Sequence, residues 1–147
     1  MAAPSTASRP RTSVAAEDYL EKIEQLISRK GYARVVDIAA ELRISQASVT
    51  AMVQKLDAEG FVKYEKYRGM VLTSTGLEVA RRIAHRHQLL TEFLRAIGVA
   101  DEKVIYDDVE GMEHHISPAT FQAIEALTRY LEKNPSVISK ASAAARK

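Results

Sequence analysis

The sequence predicts a mostly α-helical fold, an N-terminal winged helix-turn-helix with a two-stranded wing followed by an all-helical unit. Three observations predict it. Two short runs of helical apolar spacing, Val35 to Leu42 and Ser45 to Glu59, are separated only by a tight turn at Arg43-Ile44. A hairpin pattern follows directly: Phe61 to Glu65 alternates as a strand does, Lys66-Tyr67-Arg68-Gly69 reads as a turn, and Met70 to Thr73 reads as the returning strand. From Ser74 onward the apolar residues recur at helical spacing.

In order along the chain, residues 1–13 read as a disordered leader, with Pro4, Pro10, Arg9 and Arg11 and no apolar periodicity. A first helix spans 14–30, with Tyr19, Leu20, Ile23, Leu26 and Ile27 on one face and Gly31 as its stop. The first short helix carries the stripe Val35, Ile38, Ala39, Leu42. The second is capped by Ser45 and buries Val49, Met52, Val53 and Leu56. A long helix opens at Ser74-Thr75-Gly76 and runs to about Ile97, its apolar face carried by Val79, Ile83, Leu89, Leu90, Phe93, Leu94 and Ile97. Asp101 begins another helix, expected to continue until just before Ser117-Pro118. The helix 118–133 is expected to bury Phe121, Ile124, Leu127, Thr128 and Leu131 before Asn134-Pro135 ends it. The division is therefore leader 1–13, winged-helix domain 14–73, helical domain 74–135, and a short helix or tail at 136–147.

Composition narrows the function classes. At 147 residues and 46% apolar content the chain can bury a core. No apolar run approaches the roughly 20 residues that span a bilayer, and the first residues lack the apolar stretch of a signal peptide, so the expectation is a cytoplasmic protein with no membrane partner. With no cysteine there is no disulfide framework, thiolate zinc site, iron-sulfur cluster or cysteine nucleophile. Any metal must be held by oxygen and nitrogen. Up to Thr73 there are 11 Lys+Arg against 9 Asp+Glu, and beyond it 10 against 10, so the small net charge of +2 lies in the first half.

The winged helix predicts its own contact surface. Ser45, Gln46, Ala47, Ser48, Thr50, Gln54 and Lys55 face outward from the second short helix and are small, amide-bearing or basic, which suits close approach to base edges and phosphates. Lys63, Lys66 and Arg68 around the wing tip are placed to meet phosphate, with Tyr64 and Tyr67 as amphipathic packing. The partner is duplex DNA, and the helical unit is the natural dimerisation element for a reader of two half-sites.

The other chemistry-bearing stretch is Asp107-Asp108-Val109-Glu110-Gly111-Met112-Glu113-His114-His115. On a helix, Glu110, Glu113 and His114 share one face. They form either a metal-ligand set or a crowded acidic patch, because clustered carboxylates need water or a cation. Asp18 and Glu21 also share a face in the first helix, where the helix dipole alone accounts for acidic residues. His85 and His87 fall mid-helix, where a histidine is ordinarily a surface or satisfied core residue.

Four runs carry a resemblance: Lys30-Gly31-Tyr32-Ala33-Arg34-Val35, Met52-Val53-Gln54-Lys55-Leu56, Tyr64-Glu65-Lys66-Tyr67-Arg68-Gly69, and Glu110-Gly111-Met112-Glu113-His114-His115. In this order, across roughly Glu17 to Lys133, they resemble the manganese-responsive members of the diphtheria-toxin repressor family of metal-dependent transcriptional regulators. The leader falls outside the resemblance, and the SH3-like third domain common in iron-responsive members does not fit in this length.

The resemblance implies a six-residue ligand set: Asp18 and Glu21 from Asp18-Tyr19-Leu20-Glu21, His87 from Arg86-His87, and Glu110, Glu113 and His114. It implies two Mn(II) ions per subunit, and Fe(II), Co(II), Cd(II) or Zn(II) can occupy such a site in vitro. His85 and His115 match no ligand position. Iron-responsive relatives use methionine and cysteine where this chain has Asp18 and Glu110, so the donor set points to manganese, and hard oxygen and nitrogen ligands agree. The implied function is a cytoplasmic, homodimeric, Mn(II)-activated repressor of manganese-uptake genes, with no small organic substrate. Asp18 and Glu21 belong to the DNA-reading half and the other four ligands to the helical half, so metal would tie the halves at one spacing. The alternatives are an iron-responsive or metal-independent winged-helix regulator and, more remotely, a metalloenzyme. The latter lacks a second constellation to serve an open coordination position, and Glu110 to His114 lacks the paired histidines of zinc-protease helices.

Overall fold

A computed structural model describes residues 12–146, and the leader expectation for residues 1–11 lies outside them. The chain divides into two compact units at Gly76 and Leu77. In the first, α1 (Val14–Lys30) begins where the Ser13 hydroxyl accepts a hydrogen bond from the Ala16 amide at 3.2 Å. It ends where Gly31 adopts a left-handed φ of 82°, its N–H bonded to the Ile27 carbonyl. α2 (Val35–Leu42) turns through Arg43, left-handed at φ 56°, into the Ser45 cap of α3 (Gln46–Ala58). Leu20, Ile23, Leu26, Ile38, Val49, Val53 and Leu56 are wholly buried, so the apolar stripes of all three helices meet in one core. Met52 lies at its edge, half-buried.

The wing is the antiparallel pair β1 (Val62–Glu65) and β2 (Gly69–Leu72), in the register Val62 to Leu72 and Glu65 to Gly69. β1 is one residue shorter than its sequence pattern, and β2 has the expected length but starts and ends one residue earlier. Phe61 and Thr73 instead close the base of the hairpin, the Thr73 amide donating to the Phe61 carbonyl and its hydroxyl to that of Gly60 at 2.7 Å. Met70 also bridges to Ala33, and a Cβ on Gly69 would lie 2.7 Å from the Ala33 carbonyl oxygen, so glycine is required for the wing to close on the loop before α2. β1 packs on α3 and β2 on α1. One expectation fails here: Tyr67 does not pack, but stands 90% exposed at the wing tip with a left-handed φ of 69°.

α4 (Ser74–Ala96) starts in the first unit and continues into the second, which adds α5 (Glu102–Met112), α6 (Pro118–Lys133) and α7 (Ser136–Ala145). Asp101 and Ser117 cap α5 and α6 through their side-chain oxygens. Leu90, Leu94, Ile105 and Val109 form the buried centre, with Phe93, Met112 and Ile124 around it. Leu127 is a correction: it is 46% exposed, because the buried stripe runs through Ile124, Thr128 and Leu131, and one residue's rotation is about 100° on a helix. Ile97 is exposed as well, one residue beyond the last helical residue of α4. Among the described residues no helix is long and apolar enough to cross a membrane.

Candidate metal centre and DNA-reading face

α5 stops at Met112, sooner than its apolar spacing implied, and 113–115 form a turn. Glu113 keeps helical backbone angles and its N–H still bonds to the Val109 carbonyl at 3.0 Å, so its side chain stays on the face that carries Glu110. His114 departs from the helix and turns inward; its side chain is only 3% exposed.

The same turn leaves carbonyls without intrahelical donors. Arg86 supplies them: its Nη1 donates to the carbonyl oxygens of Glu113 and Ile116, each at 2.9 Å, while its guanidinium sits 5.5 Å over the Phe121 ring. The next residue, His87, points its Nδ1 to within 2.9 Å of Glu113 Oε2 and 3.3 Å of Glu110 Oε1. One turn of α4 thus presents an imidazole to the carboxylates and anchors the backbone that carries one of them.

His87, Glu110 and Glu113 each place a ligand atom within 4.8 Å of the others, and His114 Nε2 approaches Glu113 Oε1 at 3.4 Å. Ligands about 2.0–2.2 Å from an ion stand about 3 Å apart at right angles, so these separations suit a common cation. Glu113 decides the fit. Its side chain is wholly buried, and Oε1 has no hydrogen-bond partner; His114 reaches it at ion-pair distance without hydrogen-bond geometry. A carboxylate oxygen removed from water without a donor costs several kcal/mol, on the order of a lost charged hydrogen bond or more. A divalent cation held by carboxylate oxygen and imidazole nitrogen relieves that cost, so the residues present fit a metal.

Asp18 and Glu21 lie in the first unit, on one face of α1 and both half-buried, with Glu21 Oε1 accepting from Gln25 Nε2 at 3.0 Å. His85 lies edge-on to Phe121 and 3.9 Å from Glu125, an ordinary surface pair, and His115 is exposed.

On the face expected to read DNA, Gln46, Ala47, Ser48, Gln54 and Lys55 are exposed and Thr50 half-exposed. The Ser45 hydroxyl is committed to the helix start, accepting from the Ser48 amide at 3.1 Å and lying 2.8 Å from the Ser48 hydroxyl. Lys66 and Arg68 are exposed, Lys66 lying over the Tyr67 ring at 5.3 Å and Arg68 meeting Glu65 at 3.4 Å. Exposed pairs of this kind contribute little, so both cations can be given up to phosphate. A cleft of about 320 Å³ opens between α3 and the wing, lined by Gln46 and Thr50 of α3, by Arg34 and Val36 around the start of α2, and by Tyr64, Lys66 and Tyr67 of the wing.

Two residues carry roles that the sequence does not announce, and a third, Tyr67, stands other than expected. Arg86 had been read only as the neighbour of a ligand, and no local pattern announces that an arginine caps a distant turn. Arg34 figures in the sequence only within the Lys30 to Val35 run, although its guanidinium lies 4.8 Å over the Tyr32 ring and lines the cleft. For Tyr67 a signal existed: a bulky aromatic in a turn that calls for positive φ.

Two family profiles match in tandem. "Iron dependent repressor, N-terminal DNA binding domain" matches residues 11–70, and "Iron dependent repressor, metal binding and dimerisation domain" matches residues 73–140. The chain belongs to the iron-dependent repressor family. It is a DNA-binding transcriptional regulator of that family and not an enzyme. It is 53% identical over 123 residues to the HTH-type transcriptional regulator MntR of Bacillus subtilis, covering 84% of this chain and 86% of that one. It is 51% identical over 127 residues to the MntR of Lysinibacillus sphaericus, covering 86% and 91%. Among solved structures it resembles the manganese regulator SloR, with TM-score 0.69 and 29% identity over 78% of this chain. ScaR with bound Zn2+ gives TM-score 0.66 and 29% identity over 78%. The chain spans about half the length, 54%, of each of those solved chains.

Proposed function

We propose that this member of the family is a manganese-activated repressor that binds duplex DNA as a homodimer and controls manganese uptake. The observation that carries the metal half of the reading is the buried Glu113 carboxylate, with Oε1 lacking a hydrogen bond and imidazole nitrogens of His87 and His114 on either side. The identity of the ion is supported by a donor set of oxygen and nitrogen without sulfur, and by relatives above 50% identity that carry the name MntR.

The ligands of this reading are Asp18, Glu21, His87, Glu110, Glu113 and His114, with two ions per subunit; Asp18 and Glu21 enter from the Asp18-Tyr19-Leu20-Glu21 run. Bound manganese would supply positive charge and oxygen-nitrogen coordination. The chain's own residues do the rest. Without a cation, the Glu110 and Glu113 carboxylates crowd together around His87, and burial of Glu113 makes that crowding costly. Arg86 fixes the turn, so the Glu113 and His114 side chains are held in place rather than found by search. α1 contributes Asp18 and Glu21 while its Tyr19, Leu20 and Ile23 pack the winged-helix core, so whatever restrains those acids restrains the DNA-reading helices. Ser45, Gln46, Ala47, Ser48, Thr50, Gln54 and Lys55 then face the major groove, Ser45 by starting the helix, and Lys66 and Arg68 meet phosphate.

Glu113→Gln tests the reading. It keeps the shape of the side chain and removes the charge that requires a cation. The expected result is an unchanged DNA affinity in metal-free buffer and loss of the gain that Mn(II) confers on the wild type; a variant that retains the full manganese response refutes the assignment.

A further inference from the structure

We propose that Gly111 is a hinge on which the last turn of α5 opens in the metal-free protein, letting the Glu113 carboxylate reach water, and closes when a cation binds. The glycine thereby sets how much metal the protein needs. This rests on the Glu113 cluster being a manganese site.

Five of the six glycines have a steric reason to be glycine. Gly31, Gly60, Gly69 and Gly98 have left-handed φ values between 82° and 104°, and a Cβ on Gly76 would collide with the Phe61 carbonyl oxygen. Gly111 has neither reason. It lies within α5, and a Cβ there would meet nothing within 4 Å. Alanine would fit, and it loses less backbone entropy in a helix than glycine does. The glycine therefore weakens α5 at a place where packing does not ask for it.

Its position decides what that weakness does. Ile105 and Val109 are buried and hold the helix up to that point in the core of its unit. Glu110 precedes the glycine, and Glu113 and His114 follow it, so the softest joint in α5 lies among the candidate ligands. Beyond the joint, Glu113 is wholly buried with Oε1 unpartnered. That burial is costly to a chain without a cation, and water is close, because Gly111 and His115 are both exposed. A rotation about Gly111 brings the carboxylate out. It breaks the bond from the Glu113 N–H to the Val109 carbonyl and loosens those from Arg86 to the Glu113 and Ile116 carbonyls. Arg86 thus holds the turn shut, the unpartnered carboxylate drives it open, and residue 111 sets the resistance between them. A cation on Glu113 removes the drive, so metal and closure stabilise each other. Affinity for metal is then lowered by the fraction of molecules whose turn is open.

The test compares the full-length wild type with Gly111→Ser and Gly111→Ala, which raise helix propensity in that order, each without metal and with Mn(II). Alanine should raise Mn(II) affinity about three- to fivefold, with serine between. It should also raise the urea unfolding midpoint more with Mn(II) than without, because only the closed turn is helical at residue 111. Hydrogen exchange at the amides of Met112 to Ile116 should be fast in the metal-free wild type, slowed about tenfold or more by Mn(II), and slowed severalfold by alanine before metal is added. Equal Mn(II) affinity in the three proteins overturns the hinge, as does an equal gain in midpoint with and without metal. Amides as protected in the metal-free wild type as in the loaded one also overturn it. So does a dimer weakened by Gly111→Ala in sedimentation, which would assign the glycine to close approach of a second copy. Uptake of Mn(II) by the wild type and Glu113→Gln is measured first: no uptake by the wild type, or equal uptake by both, overturns the manganese reading itself, whereas the other outcomes leave that reading standing.

Discussion

Arg86→Ala isolates the contribution of one side chain to the metal centre without touching a ligand. The guanidinium donates two hydrogen bonds at 2.9 Å, to the carbonyls of Glu113 and Ile116, and packs 5.5 Å over Phe121. A hydrogen bond from a charged donor is worth about 1.5–3 kcal/mol net, and partial exposure places these at the low end, about 3 kcal/mol for the pair. The ring contact adds about 0.5–1 kcal/mol. Removing the side chain should therefore destabilise the metal-free helical unit by about 3–4 kcal/mol, a fall of about 10 °C or more in melting temperature. The freed turn should also lower Mn(II) affinity by about 10–100-fold, the usual cost of losing a group that orients ligands. Urea unfolding followed by circular dichroism reads the first effect, and calorimetric titration of Mn(II) reads the second. Arg86→Lys keeps a charge near the carbonyls and should fall between. Melting within about 2 °C of the wild type together with unaltered Mn(II) affinity would refute the clamp.

Two further perturbations test the fold that carries the sites. Glu41 is hydrogen-bonded to Arg29 and paired with Lys22 at 3.4 Å, and Arg29 above all holds its carboxyl below the ordinary value of 4.5. A lowered folded-state value means stability that is fully present above about pH 4.5 and is lost as the pH falls through the folded value. The urea midpoint difference between wild type and Glu41→Gln should be constant from about pH 6 to 8 and shrink progressively as the pH falls below 4.5; a difference that stays constant throughout that acidification would contradict the pairing. Gly76, in the first turn of α4, has no room for a Cβ, which would collide with the Phe61 carbonyl oxygen at the wing base. Gly76→Ala should cost about 3 kcal/mol through forced backbone movement, and an unaltered unfolding midpoint would show that the contact relaxes freely.

Much of this fold was readable because its signals are local. The stripes of α1 to α3 repeat at the helical period, Ser45, Asp101 and Ser117 are short-range caps, and Gly31 closes α1 by its backbone alone, whereas Ser13, assigned to the leader, caps α1. The acid-imidazole cluster was readable in part. Glu110 and Glu113 stand three residues apart, but whether they face water or a cation depends on burial, and burial depends on which surfaces α4 and α5 bring together. Spacing could not show that Glu113 loses all its solvent while its Oε1 gains no donor. Nor could it end α5 at Met112, because the turn at 113–115 is held by Arg86 from 27 residues away. Tyr67 was placed in the turn correctly and expected to pack beside Tyr64, but it lies past the end of β1, where side chains no longer alternate between faces and its left-handed backbone leaves it exposed.

The central claim is that metal binding at the Glu113 cluster controls DNA binding. It is tested most directly by titrating Mn(II) into the wild-type protein at fixed salt while reading metal stoichiometry and affinity for a selected duplex in the same samples. The account predicts that DNA affinity rises together with metal occupancy and reaches its plateau at two ions per subunit. An affinity that is the same before the first equivalent of Mn(II) and after the last would contradict it.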